Sequence, residues 1–216
     1  MSILLRFLPT GNPASKLTTD SVEYEILQQA VGMIKGVGGL CVEIGTRRGG
    51  SAKIIIDSLV TGQDFGRTLV CMDPYGNIFY KAREGNELRI DYTNKMRNET
   101  LAHLHAYALD KPVNVFLLVL EDVEYMKRFA DGYPVYDEQK KLLTEYAFVF
   151  FDGPHDVESI IREIDFFSGR SVRGTIFVFD DINYYPHDAM IEPVLFDRGF
   201  ELLRKGKVKA SYRRVR

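Results

Sequence analysis

Four places in the chain combine residue types that can do chemistry: Glu43 with Gly45, Asp73, Asp152 with His155, and Asp180 with Asp181. Each closes a short apolar run. Asp180 and Asp181 are adjacent, and Asp152 ends a neighbouring run, so together they offer the hard oxygen ligands that Mg²⁺ takes while keeping positions open for water. Ca²⁺ or Mn²⁺ would accept the same set; Zn²⁺ is disfavoured because neither cysteine is near. Without a cation, three carboxylates this close repel and raise their own pKa values. The turn from Gly45 through Thr46, Arg47, Arg48, Gly49 and Gly50 to Ser51 lets backbone approach a ligand. A helix opening there presents free N–H groups to an anionic group such as a carboxylate. Asp73 follows Glu43 by 30 residues, where a carboxylate can accept both hydroxyls of a ribose. The joint pattern favours a nucleoside-bearing ligand. The turn is not the dinucleotide fingerprint G-x-G-x-x-G, which speaks against a nicotinamide-dependent oxidoreductase.

These residues need a scaffold, and the pattern of apolar runs supplies one. Runs at 40–44, 68–72, 113–120, 147–151 and 175–179 are nearly continuous, as expected of strands covered on both faces. Helical patterns fill the gaps at 21–34, 51–60, 92–108 and 157–167. Strand–helix alternation predicts an α/β, mostly parallel, Rossmann-like sheet with right-handed crossovers. The tail differs: 200–203 and 210–215 flank a Lys/Gly turn and read as a C-terminal antiparallel strand pair. In such a sheet, ligands bind beyond the carboxyl ends of the strands, where the acidic residues stand. Residues 75–99 and 121–146 are longer than simple connections and are predicted to be substrate or lid loops. Residues 1–19 read as an N-terminal arm or a strap over the site.

With 216 residues, the chain is predicted to be a single domain. Its 28 Lys and Arg against 30 Asp and Glu give a net charge of −2, which leaves no global basic field for nucleic acid. The six basic residues near the C-terminus, Lys205, Lys207, Lys209, Arg213, Arg214 and Arg216, read as a solvated face of the terminal hairpin. No run reaches the roughly 18 to 20 apolar residues of a membrane span, so no membrane partner is expected. Cys41 and Cys71 sit in apolar runs and read as buried reduced thiols, consistent with a cytoplasmic location.

The order Val42-Glu-Ile-Gly-x-x-x-Gly-Gly-Ser51, Met72-Asp-Pro-Tyr75, Phe151-Asp-Gly-Pro-His155 and Phe179-Asp-Asp-Ile182 resembles class I S-adenosylmethionine-dependent methyltransferases. Among them it is most similar to the cation-dependent small-molecule O-methyltransferases, including the macrocin-type sugar enzymes. The resemblance covers roughly residues 20–216. It implies that Glu43, Gly45 and Ser51 contact the amino-acid end of S-adenosylmethionine and that Asp73 holds its ribose. It implies that Asp152, Asp180 and Asp181 hold Mg²⁺, and that Asp152 and His155 are catalytic, His155 as the base. The acceptor is then a small-molecule hydroxyl, on a sugar or a catechol-like phenol. After the third strand the chain has Leu118-Val-Leu-Glu-Asp122 where relatives often carry a Gly-x-Ser-like element, so no adenine contact is assigned.

Two rivals share this scaffold: a non-catalytic cofactor-binding protein, and a nucleotide-dependent sugar-modifying enzyme. His187, in Tyr184-Tyr-Pro-His-Asp188, reads as a contact to substrate or to a second face of the metal site, or as a surface loop histidine. His103 and His105 take no function. Tyr75, Tyr80, Tyr133, Tyr136, Tyr184 and Tyr185 read as an aromatic wall around an acceptor or as ordinary packing. A homo-oligomer is compatible with the loops.

Overall fold

The computed structural model describes residues 12–76, 92–136, 138–154 and 156–216, with the backbone of Phe79–Lys81 and Glu87–Arg89 between. Its centre is a seven-stranded sheet of β1 (Leu40–Ile44), β2 (Arg67–Met72), β5 (Val113–Leu118), β8 (Tyr146–Phe151), β9 (Ser171–Phe179), β10 (Phe200–Lys205) and β11 (Ala210–Arg214). The spatial order is β10-β11-β9-β8-β1-β2-β5. The run from β9 through β8, β1 and β2 to β5 is parallel, and β11 is antiparallel to both β9 and β10. The strand order reverses at β1, which pairs with β8 on one side and β2 on the other. That topological switch point places a crevice beyond the carboxyl ends of these strands.

Every residue of β1 and β8 is buried, because helices cover both faces. Side-chain alternation sorts the core into two layers. Leu40, Val42, Ile44, Val149, Phe151, Phe177 and Phe179 pack with Ile160, Ile164 and Phe167 of α5 (Val157–Ser168) and with Leu195 of α6 (Glu192–Asp197). Cys41, Leu69, Cys71, Phe148, Phe150 and Ile176 pack under α1 (Tyr24–Gly32) and α2 (Gly50–Thr61). Leu104 of α3 (Asn94–Ala108) joins this second layer. Both cysteines are free and buried. Among the described residues, no helix is long and apolar enough to cross a membrane.

The two long connections hold more structure than their composition indicated. Residues 121–146 contain α4 (Asp122–Arg128) and a hairpin of β6 (Tyr133–Tyr136) and β7 (Lys140–Leu143). Tyr133 does not line a site: it is buried against the rings of Tyr125, Phe129 and Phe116. The backbone of the 75–99 segment forms a second hairpin, β3 (Phe79–Lys81) with β4 (Glu87–Arg89), before α3 begins. A π-helical turn, His187–Ile191, precedes α6. The stretch ahead of α1 crosses the start of α2, with a parallel bridge from Thr18 to Gly49. A Cβ on Gly50 would meet the Thr18 carbonyl carbon at 2.5 Å, so that crossing needs glycine.

Candidate active site at the carboxyl edge of the sheet

Backbone hydrogen bonds staple the strand ends together. Asp152 N–H donates to the Ile44 carbonyl (3.0 Å), Asp180 N–H to the Phe151 carbonyl (2.9 Å), and Gly45 N–H to the Met72 carbonyl (2.9 Å). The motifs after β1, β2, β8 and β9 therefore share one crevice. Gly45 is required by this approach: its φ is +88° and a Cβ would lie 1.8 Å from the Asp152 carbonyl oxygen. A packing demand thus accounts for this glycine.

Glu43 has odd parity on β1, so it shares a face with Cys41 and points toward α2 rather than α5. It is fully buried, and neither carboxylate oxygen has a partner in hydrogen-bonding geometry. Burial pushes its carboxyl up to about 7, while the nearby Ser51 and Thr46 hydroxyls and the Cys71 thiol ease the charge. Ser51 is buried in the first turn of α2, whose N-cap Gly49 brings no side-chain cap. An unpartnered buried carboxyl beside an uncapped helix start is the arrangement that the amino and carboxylate groups of a free amino acid would satisfy.

Asp73 is buried and braces the glycine turn. Its Oδ2 accepts from the Arg47 N–H (2.8 Å) and its Oδ1 from the Tyr75 N–H (3.2 Å). Burial raises its pKa, and those two hydrogen bonds oppose the rise. A carboxylate accepts about four hydrogen bonds, so capacity is left for a diol. The Arg47 carbonyl accepts from the Tyr75 hydroxyl (2.7 Å) and the Thr100 hydroxyl (3.0 Å), tying α3 to the turn. Arg47, Tyr75 and Asp181 have φ of 46°, 50° and 53°, left-handed values costly for residues with a Cβ. Three such residues at three strand ends mark the crevice as a place where strain is held.

On the β8–β9 side, Asp152 is half-buried and Asp180 buried. Burial, and then the charge of Asp180, push the Asp152 carboxyl well above the usual range, with Asp181 and Glu43 adding to the effect. Asp180 is already engaged: its Oδ1 accepts from the Asp181 N–H (2.8 Å) and its Oδ2 from the Lys209 ammonium (2.5 Å). This pair has side-chain exposures of 0% and 1%. Among the described residues, no group of three or more His, Cys, Asp and Glu side chains is arranged to hold a metal ion. As placed, Asp180 is one half of an ion pair and not an open metal ligand, which departs from the expectation for the acidic cluster.

His155 lies outside the described residues. His187 is not a surface histidine. It is 1% exposed, its Nε2 is 2.8 Å from the Tyr212 hydroxyl, and burial pushes its pKa down to about 4. Of the tyrosines, Tyr185 is buried and donates to the Asp180 carbonyl (3.2 Å), Tyr136 and Tyr184 are exposed, and the Tyr80 side chain lies outside the described residues. After β5, Asp122 opens α4, and its Oδ2 and the Oε1 of Glu163 are buried without partners. Sequence reading missed Lys209 because it stands in a basic run that alternation assigns to solvent. The signal was the register: Ala210 opposite Phe179 puts Lys209 beside Asp180.

Comparison with known structures agrees with this architecture. The calicheamicin methyltransferase CalS11 superimposes with a TM-score of 0.63 at 16% identity, covering 88% of this chain and 78% of that one. The O-methyltransferase NovP gives 0.60 at 19% identity, covering 89% and 79%. An O-methyltransferase from Bacillus cereus in complex with SAH gives 0.57 at 15% identity, covering 94% and 87%. No curated protein matches by sequence. A methyltransferase-domain family model matches residues 42–182, the segment that carries all four strand-end motifs. The chain belongs to the methyltransferase-domain family.

Proposed function

We propose that this chain transfers a methyl group from S-adenosylmethionine to a hydroxyl of a small molecule. One observation carries the reading: Glu43, wholly buried and without a hydrogen-bond partner, faces the uncapped start of α2 in the crevice formed at the switch point. When bound, S-adenosylmethionine supplies an electrophilic methyl group on a sulfonium centre. Glu43 would accept from the amino group, the α2 start with Ser51 would meet the carboxylate, and Asp73 would accept from the ribose hydroxyls.

The chain's own work is to position the acceptor and take its proton. His155, three residues after Asp152, is the proposed base, with an unperturbed pKa of about 6.5. Asp152 shares this role, since a carboxyl pushed upward by burial and by Asp180 is a better proton acceptor than an exposed one. Mg²⁺ carries no step here, because Asp180 already bears a buried ammonium. A sugar hydroxyl is the favoured acceptor. Its support is the likeness of fold to CalS11, described as a TDP-rhamnose 3'-O-methyltransferase.

Calorimetric titration of S-adenosylhomocysteine tests the reading. Micromolar binding that weakens at least about tenfold in Glu43→Ala is the expected result. Absence of binding to the wild-type protein, with and without Mg²⁺, would overturn it.

A further inference from the structure

We propose that Lys209 is the resident cation of the acidic cluster, taking on Asp180 the place of a divalent metal, so that this chain acts without one. The proposal rests on the methyltransferase reading for its functional meaning, and on side-chain geometry for its substance.

The pairing follows from the fold. β11 runs antiparallel to β9 with Ala210 opposite Phe179, so the next residues along, Lys209 and Asp180, become cross-strand neighbours. The turn before β11 is held from the far end of the chain. The Glu23 carboxylate accepts from the N–H groups of Lys207 (2.9 Å), Val208 (2.9 Å) and Lys209 (3.0 Å). Ile182, two residues past Asp180, donates its N–H to the Val208 carbonyl (3.0 Å). Both flanks of the pair are therefore fixed by backbone.

The ammonium itself is enclosed. It meets Asp180 Oδ2 at 2.5 Å and the Ser21 hydroxyl, and lies 5.0 Å from the Tyr24 ring centroid and 5.7 Å from that of Phe150. Two aromatic faces, one carboxylate and one hydroxyl satisfy a buried cation well. With the lysine fully buried, a divalent ion on Asp180 Oδ2 would sit against an ammonium with no open solvent to retreat into. A buried charge that loses its partner is costly, so exchange of lysine for metal is disfavoured from both sides.

The test uses the full chain stripped with EDTA. Mn²⁺ is titrated calorimetrically into wild-type protein, Lys209→Met, and Lys209→Met combined with Asp180→Asn; S-adenosylhomocysteine is titrated in parallel in EDTA. The wild type is expected to show no saturable micromolar Mn²⁺ site. Lys209→Met, with its carboxylates released, is expected to bind one Mn²⁺ at least about tenfold more tightly than wild type, and the double variant to lose that gain. If Lys209→Met melts early in EDTA, Mn²⁺ should restore its melting temperature. One micromolar Mn²⁺ equivalent in the wild type, abolished by Asp180→Asn, overturns the proposal. So does a Lys209→Met protein that binds Mn²⁺ no better than wild type, or that stays unfolded with Mn²⁺. Failure of S-adenosylhomocysteine to bind counts against the methyltransferase reading alone, since the Mn²⁺ titrations decide Lys209 independently.

Discussion

Replacing Glu43 by glutamine should remove a specific part of the pH dependence of stability. Burial lifts the Glu43 carboxyl from its ordinary 4.5 to about 7 in the folded chain. Between those values the folded state holds a proton that the unfolded state has released. Stability then changes with the difference in protons bound, unfolded minus folded, which is negative here. The sign is therefore a loss of stability as pH rises from 4.5 through 7, complete above 7. At about 1.36 kcal/mol per pKa unit, the loss between pH 5 and pH 8 comes to about 2.5 kcal/mol. Glutamine keeps the shape and has no proton to exchange, so its curve lacks that component. The assay is urea unfolding of the cofactor-free wild-type and Glu43→Gln proteins at pH 5, 6, 7 and 8. Asp152 and Glu163 are also raised by burial, but they are present in both proteins and largely cancel in the difference. Stability curves that run parallel from pH 5 to 8 would refute the assignment of an unpartnered, proton-holding Glu43. The same carboxyl must be ionised to receive a cationic amino group. S-adenosylhomocysteine binding to wild type should therefore tighten as pH rises from 6 to 8, and binding to Glu43→Gln should not.

Three further outcomes are expected. Gly45→Ala places a Cβ 1.8 Å from the Asp152 carbonyl oxygen at a φ of +88°, so it should cost at least about 3 kcal/mol in thermal or urea unfolding or prevent folding. A melting temperature equal to wild type would mean that β1 and β8 do not converge as described. His155→Ala should lower turnover at pH 7.5 by about 100-fold or more while leaving S-adenosylhomocysteine affinity intact, and wild-type turnover would remove it as the base. His187 is held neutral by burial and then by the Lys205 charge, with its pKa lowered to about 4. Its imidazole proton resonances should therefore stay unshifted from pH 8 to about 5. The stability it contributes should be present above pH 6.5 and fall as pH drops from there through 4. A titration midpoint near 6.5 would show that His187 reaches solvent.

Much of the scaffold was legible because it rests on local and periodic signals. Buried parallel strands leave uninterrupted apolar runs: 40–44 coincides with β1, and 147–151 misses β8 by one residue. The positions of Asp73, Asp152 and Asp180 follow as well, since each is the residue after a buried run, and Glu43 lies one residue before the end of β1. The hairpins β3–β4 and β6–β7 were not legible, because mixed polar stretches with Tyr and Lys carry no clear period. The β6–β7 pair is held by its apolar residue Tyr133, which packs on Tyr125 and Phe129.

What the sequence by itself determined is the inventory and its order along the chain: parallel strands, helices between them, and an acidic residue at each of four strand ends. Only the tertiary structure decided how those acids are answered. Asp73 spends two acceptor sites on the N–H groups of Arg47 and Tyr75, Glu43 is left without a partner, and Asp180 receives Lys209, 29 residues later in the chain. The physical reason is that charge compensation depends on distance in space and on burial, and neither is encoded in local spacing. A lysine in a basic tail looks solvated until the register of β11 against β9 turns it inward.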